Sequence, residues 1–140
     1  MENYQLDHDI KTMYVTATSF PEGIMAAHEK LHSLIPSTKE RRFFGISRPD
    51  RSGTIVYKAA VEVLNEEEAG KTGLDTFIIP KGTYTSTYIA NYADDIQQVG
   101  RTFDQLLADP ALDSNGFCLE MYMGEKDMRC MVRLDTGNVS

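Results

Sequence analysis

The sequence predicts an α+β fold: a duplicated βαββ unit forming a curved antiparallel sheet with two helices on one face. Three observations predict it. The order strand–helix–strand–strand occurs twice along the chain. Two segments have helical periodicity, and the remaining apolar runs are short and rich in β-branched and aromatic residues. Finally, 140 residues with 41% hydrophobic and 25% charged content suit one compact globular domain.

Residues 1–10 are polar and read as a loosely held N-terminal tail, leaving 11–136 as a single domain. MYVTATSF (13–20) has strand composition. Pro21 then stands where a helix would open, with Ser19 upstream as a cap, and EGIMAAHEKLHSLI runs on to Pro36, which ends it. RRFFGIS (41–47) is the next strand, RPDRSGT (48–54) is turn chemistry, and IVYKAAVEVL (55–64) is a third strand. The acidic stretch NEEEAGKTG (65–73) reads as a solvated connector.

The second half repeats the order. TFIIPKGTYTSTYIA (76–90) is strand material broken at Pro80 and Gly82. In DDIQQVGRTFDQLLA (94–108), Ile96, Val99, Gly100, Phe103, Leu106 and Leu107 fall on one helical face. GFCLEMYM (116–123) and MRCMVRL (128–134) are two strands joined by GEKD, a hairpin signal.

Composition narrows the function classes. A net charge of −7 and a pI near 4.9 argue against direct nucleic-acid binding, which needs a basic face; only Arg41 and Arg42, with Lys39 close by, cluster at all. No run approaches the ~18 apolar residues of a membrane span. MENYQLDHDIK lacks the features of a secretory signal, so the expected location is the cytoplasm. Cys118 and Cys130 do not have zinc-site spacing and are expected as free thiols. No cofactor is expected.

Side-chain alternation assigns faces. Phe117, Leu119, Met121 and Met123 form a wholly apolar set and are expected to meet the helices, leaving Cys118, Glu120 and Tyr122 on the other side. With a two- or four-residue hairpin loop, Arg129, Met131 and Arg133 join Glu120 there, and the two cysteines lie on opposite faces, excluding a disulfide. A three-residue loop would reverse the assignment. Tyr84, Ser86 and Tyr88 share a face opposite Thr85, Thr87 and Ile89, and Tyr57 alternates with Val56 and Lys58. Several tyrosines thus fall on strands near a carboxylate. An aromatic wall around one acid can hold a lipophilic cation by cation–π attraction and one charge pair. Strand tyrosines are also common as half-buried sheet residues, and a glutamate near two arginines as a rim ion pair.

IPKGTYTSTYIANY, followed by an amphipathic helix and then FCLEMYM, resembles the GyrI-like small-molecule-binding superfamily, the effector-binding domain also attached to AraC-type and MerR-type multidrug regulators. The resemblance lies in the pattern I-P-x-G-x-Y, helix, then E-x-Y on a strand, with element order extending it over about residues 10–135. It implies a duplicated βαββ fold with a central aromatic pocket and a glutamate at its floor. That glutamate corresponds to Glu120, with Tyr122 after it, Tyr84 in the I-P-x-G-x-Y segment, and Tyr57 opening the third strand. Side-chain alternation, separately from the resemblance, adds Tyr88, Cys118, Arg129 and Met131 to the candidate ligand-binding set. Some members hydrolyse electrophilic compounds with the same glutamate, which makes Glu120 the catalytic candidate if the chain is an enzyme. Others inhibit gyrase or sequester toxins, which implies a protein target. The chain carries no helix-turn-helix, so a regulatory role would need a separate regulator as partner, and it has no tryptophan, unlike many hydrolase members. Arg129 and Arg133 are positioned to neutralise Glu120 and shift preference toward neutral or anionic ligands.

One motif competes. HEKLH, residues 28–32, spells the H-E-x-x-H of zinc hydrolases. With Ile24 at the centre of the apolar stripe and ~100° per residue, Leu31 and Ile35 lie within ~20° of it, His28 near ~40° and His32 near ~80°. His28 then edges the core, His32 flanks it and Glu29 points to solvent. No histidine follows His32, so the downstream third imidazole of the H-E-x-x-H-x-x-G-x-x-H signature is absent. The motif is read as accidental, with no metal. The expected function is binding of a small lipophilic or cationic molecule, with the hydrolase and protein-interaction readings as alternatives.

Overall fold

The computed structural model describes residues 2–35, 41–113, 116–124 and 126–135. Pro36, Lys39, Glu125 and the expected domain end at residue 136 lie outside them. In order, the elements are β1 (Glu2–Leu6), β2 (Ile10–Thr16), α1 (Ile24–Leu34), β3 (Phe43–Pro49), β4 (Ile55–Glu62), α2 (Glu68–Thr72), β5 (Asp75–Ile79), β6 (Gly82–Ile89), a 3₁₀ turn (Tyr92–Asp95), α3 (Gln97–Leu106), β7 (Cys118–Met123) and β8 (Asp127–Arg133). This is the predicted α+β class, with β2-α1-β3-β4 repeated as β6-α3-β7-β8. The chain forms two compact units, Asp9–Ile79 and a second made of Met1–His8 with Pro80–Ser140.

The Asp9–Ile79 unit is an antiparallel sheet in the order β3-β4-β2-β5. Alternation sends Met13, Val15, Tyr57, Ala59 and Val61 to one face, where Ala27, Leu31 and Ile35 of the α1 segment close the core. The expected stripe on α1 is the one used: Leu31 and Ile35 are buried and Glu29 is exposed. Pro21 does not open the helix. Residues 20–23 form a turn, in which Gly23 N–H donates to Ser19 O, and α1 begins at Ile24.

The acidic stretch 65–73 departs from a purely solvated connector. Residues 68–72 are helical, and Gly73 ends them in the left-handed conformation at φ +72°, a position that suits glycine. The Glu68 carboxylate accepts from Leu64 N–H (2.6 Å) and Asn65 N–H (3.1 Å) and pairs with the Arg41 guanidinium. Glu66 and Glu67 do remain solvent-facing.

The second unit is an antiparallel sheet in the order β1-β6-β8-β7. Residues 2–6, expected as part of a loose tail, are a strand paired along β6 from Glu2↔Ser86 to Leu6↔Gly82. Arg129 explains why polar residues hold this edge. Its guanidinium pairs with Glu2 at 2.7 Å and lies over the Tyr4 ring at 4.7 Å. On the opposite face, Ile89, Leu106, Met128, Cys130 and Val132 form the core, with Val99 and Phe103 of α3 packed against them. Ile96 (60% exposed) and Leu107 fall outside this contact, so the helix seats only part of the stripe that its periodicity marks.

Candidate ligand-binding site

The β7–β8 turn decides which face carries Glu120. Met123 pairs with Asp127, so the loop is the three-residue Gly124–Lys126, and Glu120 stands opposite Cys130. The expected two- or four-residue closure would have set it opposite Met131. Gly124 adopts φ +65°, the left-handed backbone that suits glycine in such a loop. One residue of register inverts every side chain. Cys118, Glu120 and Tyr122 therefore face α3, correcting the assignment of Glu120 to the uncovered side. The two cysteines share this face rather than lying on opposite ones, and no disulfide joins them.

Strand pairing sets three rows across this face: Thr85, Val132 and Cys118; Thr87, Cys130 and Glu120; Ile89, Met128 and Tyr122. Glu120 is partly buried and ends the middle row. Tyr122 O–H donates to Glu120 Oε1 at 3.0 Å. The Tyr92 ring, from the turn ahead of α3, lies 5.8 Å from the Tyr122 ring at 58°. Burial and then the Glu120 charge raise the Tyr92 phenol above its ordinary value. Burial, Glu120 and Cys118 push the Cys130 thiol up to about 12, so it is a protonated, unreactive neighbour.

Thr87 Oγ1 is buried without a hydrogen-bond partner among the described residues. A buried, unsatisfied hydroxyl costs roughly 1–3 kcal/mol. Thr87→Val is therefore expected to raise the unfolding free energy by about 1 kcal/mol, read as a higher urea midpoint at unchanged slope. A lower midpoint would mean that the hydroxyl is satisfied in solution.

The remaining expected residues separate from this cluster. Tyr84, Tyr88, Arg129, Met131 and Arg133 lie on the other face of the same sheet. Tyr84 is fully buried, and its O–H donates to Pro80 O at 2.6 Å. Tyr88 donates to Asp127, and its ring lies 5.4 Å from the Arg129 guanidinium. Arg133 pairs with Asp113 at 3.0 Å. The sheet thus stands between both arginines and Glu120, so neither takes the neutralising position expected from the sequence. Tyr57, 1% exposed, lies in the core of the Asp9–Ile79 unit, on the face that α1 covers. Sequence reasoning missed Tyr92 and Thr87. Their signals were present: Tyr92 immediately precedes the second helix, and Thr87 shares the parity of Ile89.

The HEKLH imidazoles have other contacts. His28 Nε2 lies 2.9 Å from Tyr57 Oη, and the His32 ring stacks on Phe43 at 4.5 Å. Burial, then His32, pushes the His28 pKa down to about 4. No group of three metal-binding side chains converges among the described residues. No described helix is long and apolar enough to cross a membrane.

No family profile and no curated protein sequence matches the chain. Solved structures share its fold, among them the following two. The structure of SAV2435 bound to tetraphenylphosphonium superposes with a TM-score of 0.65 at 12% identity, over 96% of this chain and 93% of that one. The integron cassette protein VCH_CASS2, from the mobile metagenome of Vibrio cholerae, gives 0.67 at 12% identity, over 95% and 94%. At such identity the likeness is one of fold.

Proposed function

We propose that the protein binds small lipophilic cations, with the Glu120 carboxylate as counter-charge and Tyr122 and Tyr92 as aromatic contacts. One observation carries this reading: a carboxylate oriented by a tyrosine hydroxyl, on a sheet face that it shares with Thr87, Met128, Cys130, Ile89 and the apolar side of α3. A delocalised cation gains there from one charge, from ring faces and from apolar burial at once, whereas a strongly hydrated ammonium loses more water than it recovers. Two further points support the class of ligand. A protein of the same fold holds tetraphenylphosphonium, and the I-P-x-G-x-Y and E-x-Y segments resemble GyrI-like effector-binding domains.

Calorimetric titration with tetraphenylphosphonium tests the proposal. Saturable binding is expected, at least tenfold weaker in Glu120→Gln, a loss of about 1.4 kcal/mol. Tyr122→Phe should cost less, because the ring remains and only the orienting hydrogen bond is lost. Equal affinity in wild type and Glu120→Gln would sink the assignment.

A further inference from the structure

A charged recess lies on the Asp9–Ile79 unit, on the sheet face turned away from α1. Tyr57, Ala59 and Val61 point to α1, so the alternating Val56 and Lys58 point the other way, beside Ile46 and Arg48 of β3. These side chains, with Phe77 of β5 and Arg51 of the β3–β4 turn, line an open groove of about 510 Å³. That volume is in the range of small-molecule sites.

The distribution of charge is unusual for so acidic a chain. Elsewhere in this unit Lys11, Arg41, Arg42 and Lys71 each pair with a glutamate, and of the other described cations only the exposed Lys30 of α1 has no such pair. Arg48, Arg51 and Lys58 form no ion pair among the described residues, yet they converge on one groove. Lys58 is held over the Tyr14 ring at 4.6 Å and the Phe77 ring at 5.2 Å. Burial, then Arg48, lowers its pKa, while Asp75 acts in the opposite direction. Two cations are thus held near one another at an energetic cost that a bound anion relieves.

The acid that lines the groove, Asp50, is committed to the turn. Its Oδ1 accepts from Ser52 N–H (2.8 Å), Ser52 O–H (2.6 Å) and Thr54 N–H (3.1 Å). Gly53, at φ +89°, closes the same loop. Asp50 therefore fixes the loop that presents Arg51. Ile46, Val56 and Phe77 supply an apolar floor between the cations.

We propose that this groove is a second binding site, opposite in charge preference to the Glu120 site, for a small amphipathic anion: one carboxylate, sulfonate or phosphate group on an apolar body. The head group meets Arg48 and Lys58, Arg51 closes over it from the turn, and the body lies on Ile46, Val56 and Phe77. Three cations with an apolar floor favour a small amphiphile over a polymer, whose repeated charges need a longer basic track.

Fluorescence titration of the full chain with 8-anilinonaphthalene-1-sulfonate, at low ionic strength, tests this. Saturable binding is expected, displaced by octanoate, weakened by added salt and at least tenfold weaker in the Arg48→Gln, Lys58→Met double variant. Glu120→Gln should leave it unchanged, and the double variant should leave tetraphenylphosphonium binding unchanged, so the two sites stand or fall separately. Affinity for the dye that is the same in the double variant, or that falls with Glu120→Gln instead, overturns the proposal. So does displacement by an oligonucleotide but not by octanoate. If the double variant does not fold, Arg51→Gln on the exposed turn decides: at least a threefold loss supports the site, and none overturns it.

Discussion

Replacing Arg41 by Met is expected to destabilise the fold by about 3 kcal/mol at pH 7. The Arg41 and Glu68 side chains are only 9% and 15% exposed, and Glu68 Oε2 is paired with Arg41 alone among the described residues. Arg41 Nη1 also donates to Glu62 O at 3.3 Å, so the guanidinium ties the entry to β3 to the end of β4. Removing it leaves a largely buried carboxylate with backbone donors on its other oxygen only, the situation in which breaking a pair costs most. The pH dependence identifies the cause. Burial alone would raise the Glu68 pKa, but Arg41 and the Leu64 and Asn65 amides overcome it and hold the value below 4.5. A depressed carboxylate contributes stability that is complete above its unfolded pKa and disappears as pH falls through the folded value. The Arg41→Met penalty should therefore be full at pH 7 and shrink as pH falls through the carboxylate range. A penalty that stays constant from pH 7 to pH 3 would assign it to lost packing instead.

The second large effect lies at higher pH. His28 drops from 6.5 to about 4 in the folded state, because burial and His32 disfavour its cation. Between those values the unfolded chain binds the extra proton, so stability rises with pH across the window and is lost on acidification. The shift corresponds to about 3 kcal/mol. Urea unfolding at pH 7 and pH 4 should show a loss of that order in wild type and much less in His28→Gln, whose amide can still meet the Tyr57 hydroxyl. Identical losses in both proteins would place the dependence elsewhere. Most of the His28 window lies above that of Glu68, so the two effects can be read separately.

These groups also show what the sequence makes legible. The βαββ repeat, the core stripe of α1 and the break at Pro80 and Gly82 rest on periodicity and backbone chemistry, both local, and the structure has all three. The face of Glu120 rests on a hairpin loop length, and GEKD admits several closures. One residue of register moved Glu120 and Tyr122 under α3 and left Tyr84, Tyr88 and Arg129 behind the sheet. Strand β1 was hidden for a different reason. Its composition is that of a tail, and its partners, Ser86, Tyr84 and Arg129, are more than 75 residues distant in sequence. Glu68 likewise sits in an acidic run that charge alone would hand to solvent, whereas Arg41 and the Leu64 and Asn65 amides hold its carboxylate against the fold.

The pairing of β1 with β6 and of β5 with β2 has a consequence for biosynthesis. Each half of the chain begins with a strand that pairs with the second strand of the other half. Asp9–Ile79 holds β2, β3, β4 and β5, paired with one another, in one continuous segment and can form these pairings while the rest of the chain is still on the ribosome. β1 cannot. It leaves the ribosome before all of its partners and waits for β6, a delay of roughly 4–17 s at ordinary elongation rates. An apolar strand held open for that long would invite aggregation, whereas ENYQL, with a glutamate, an asparagine and a glutamine in five residues, tolerates water until its partner arrives.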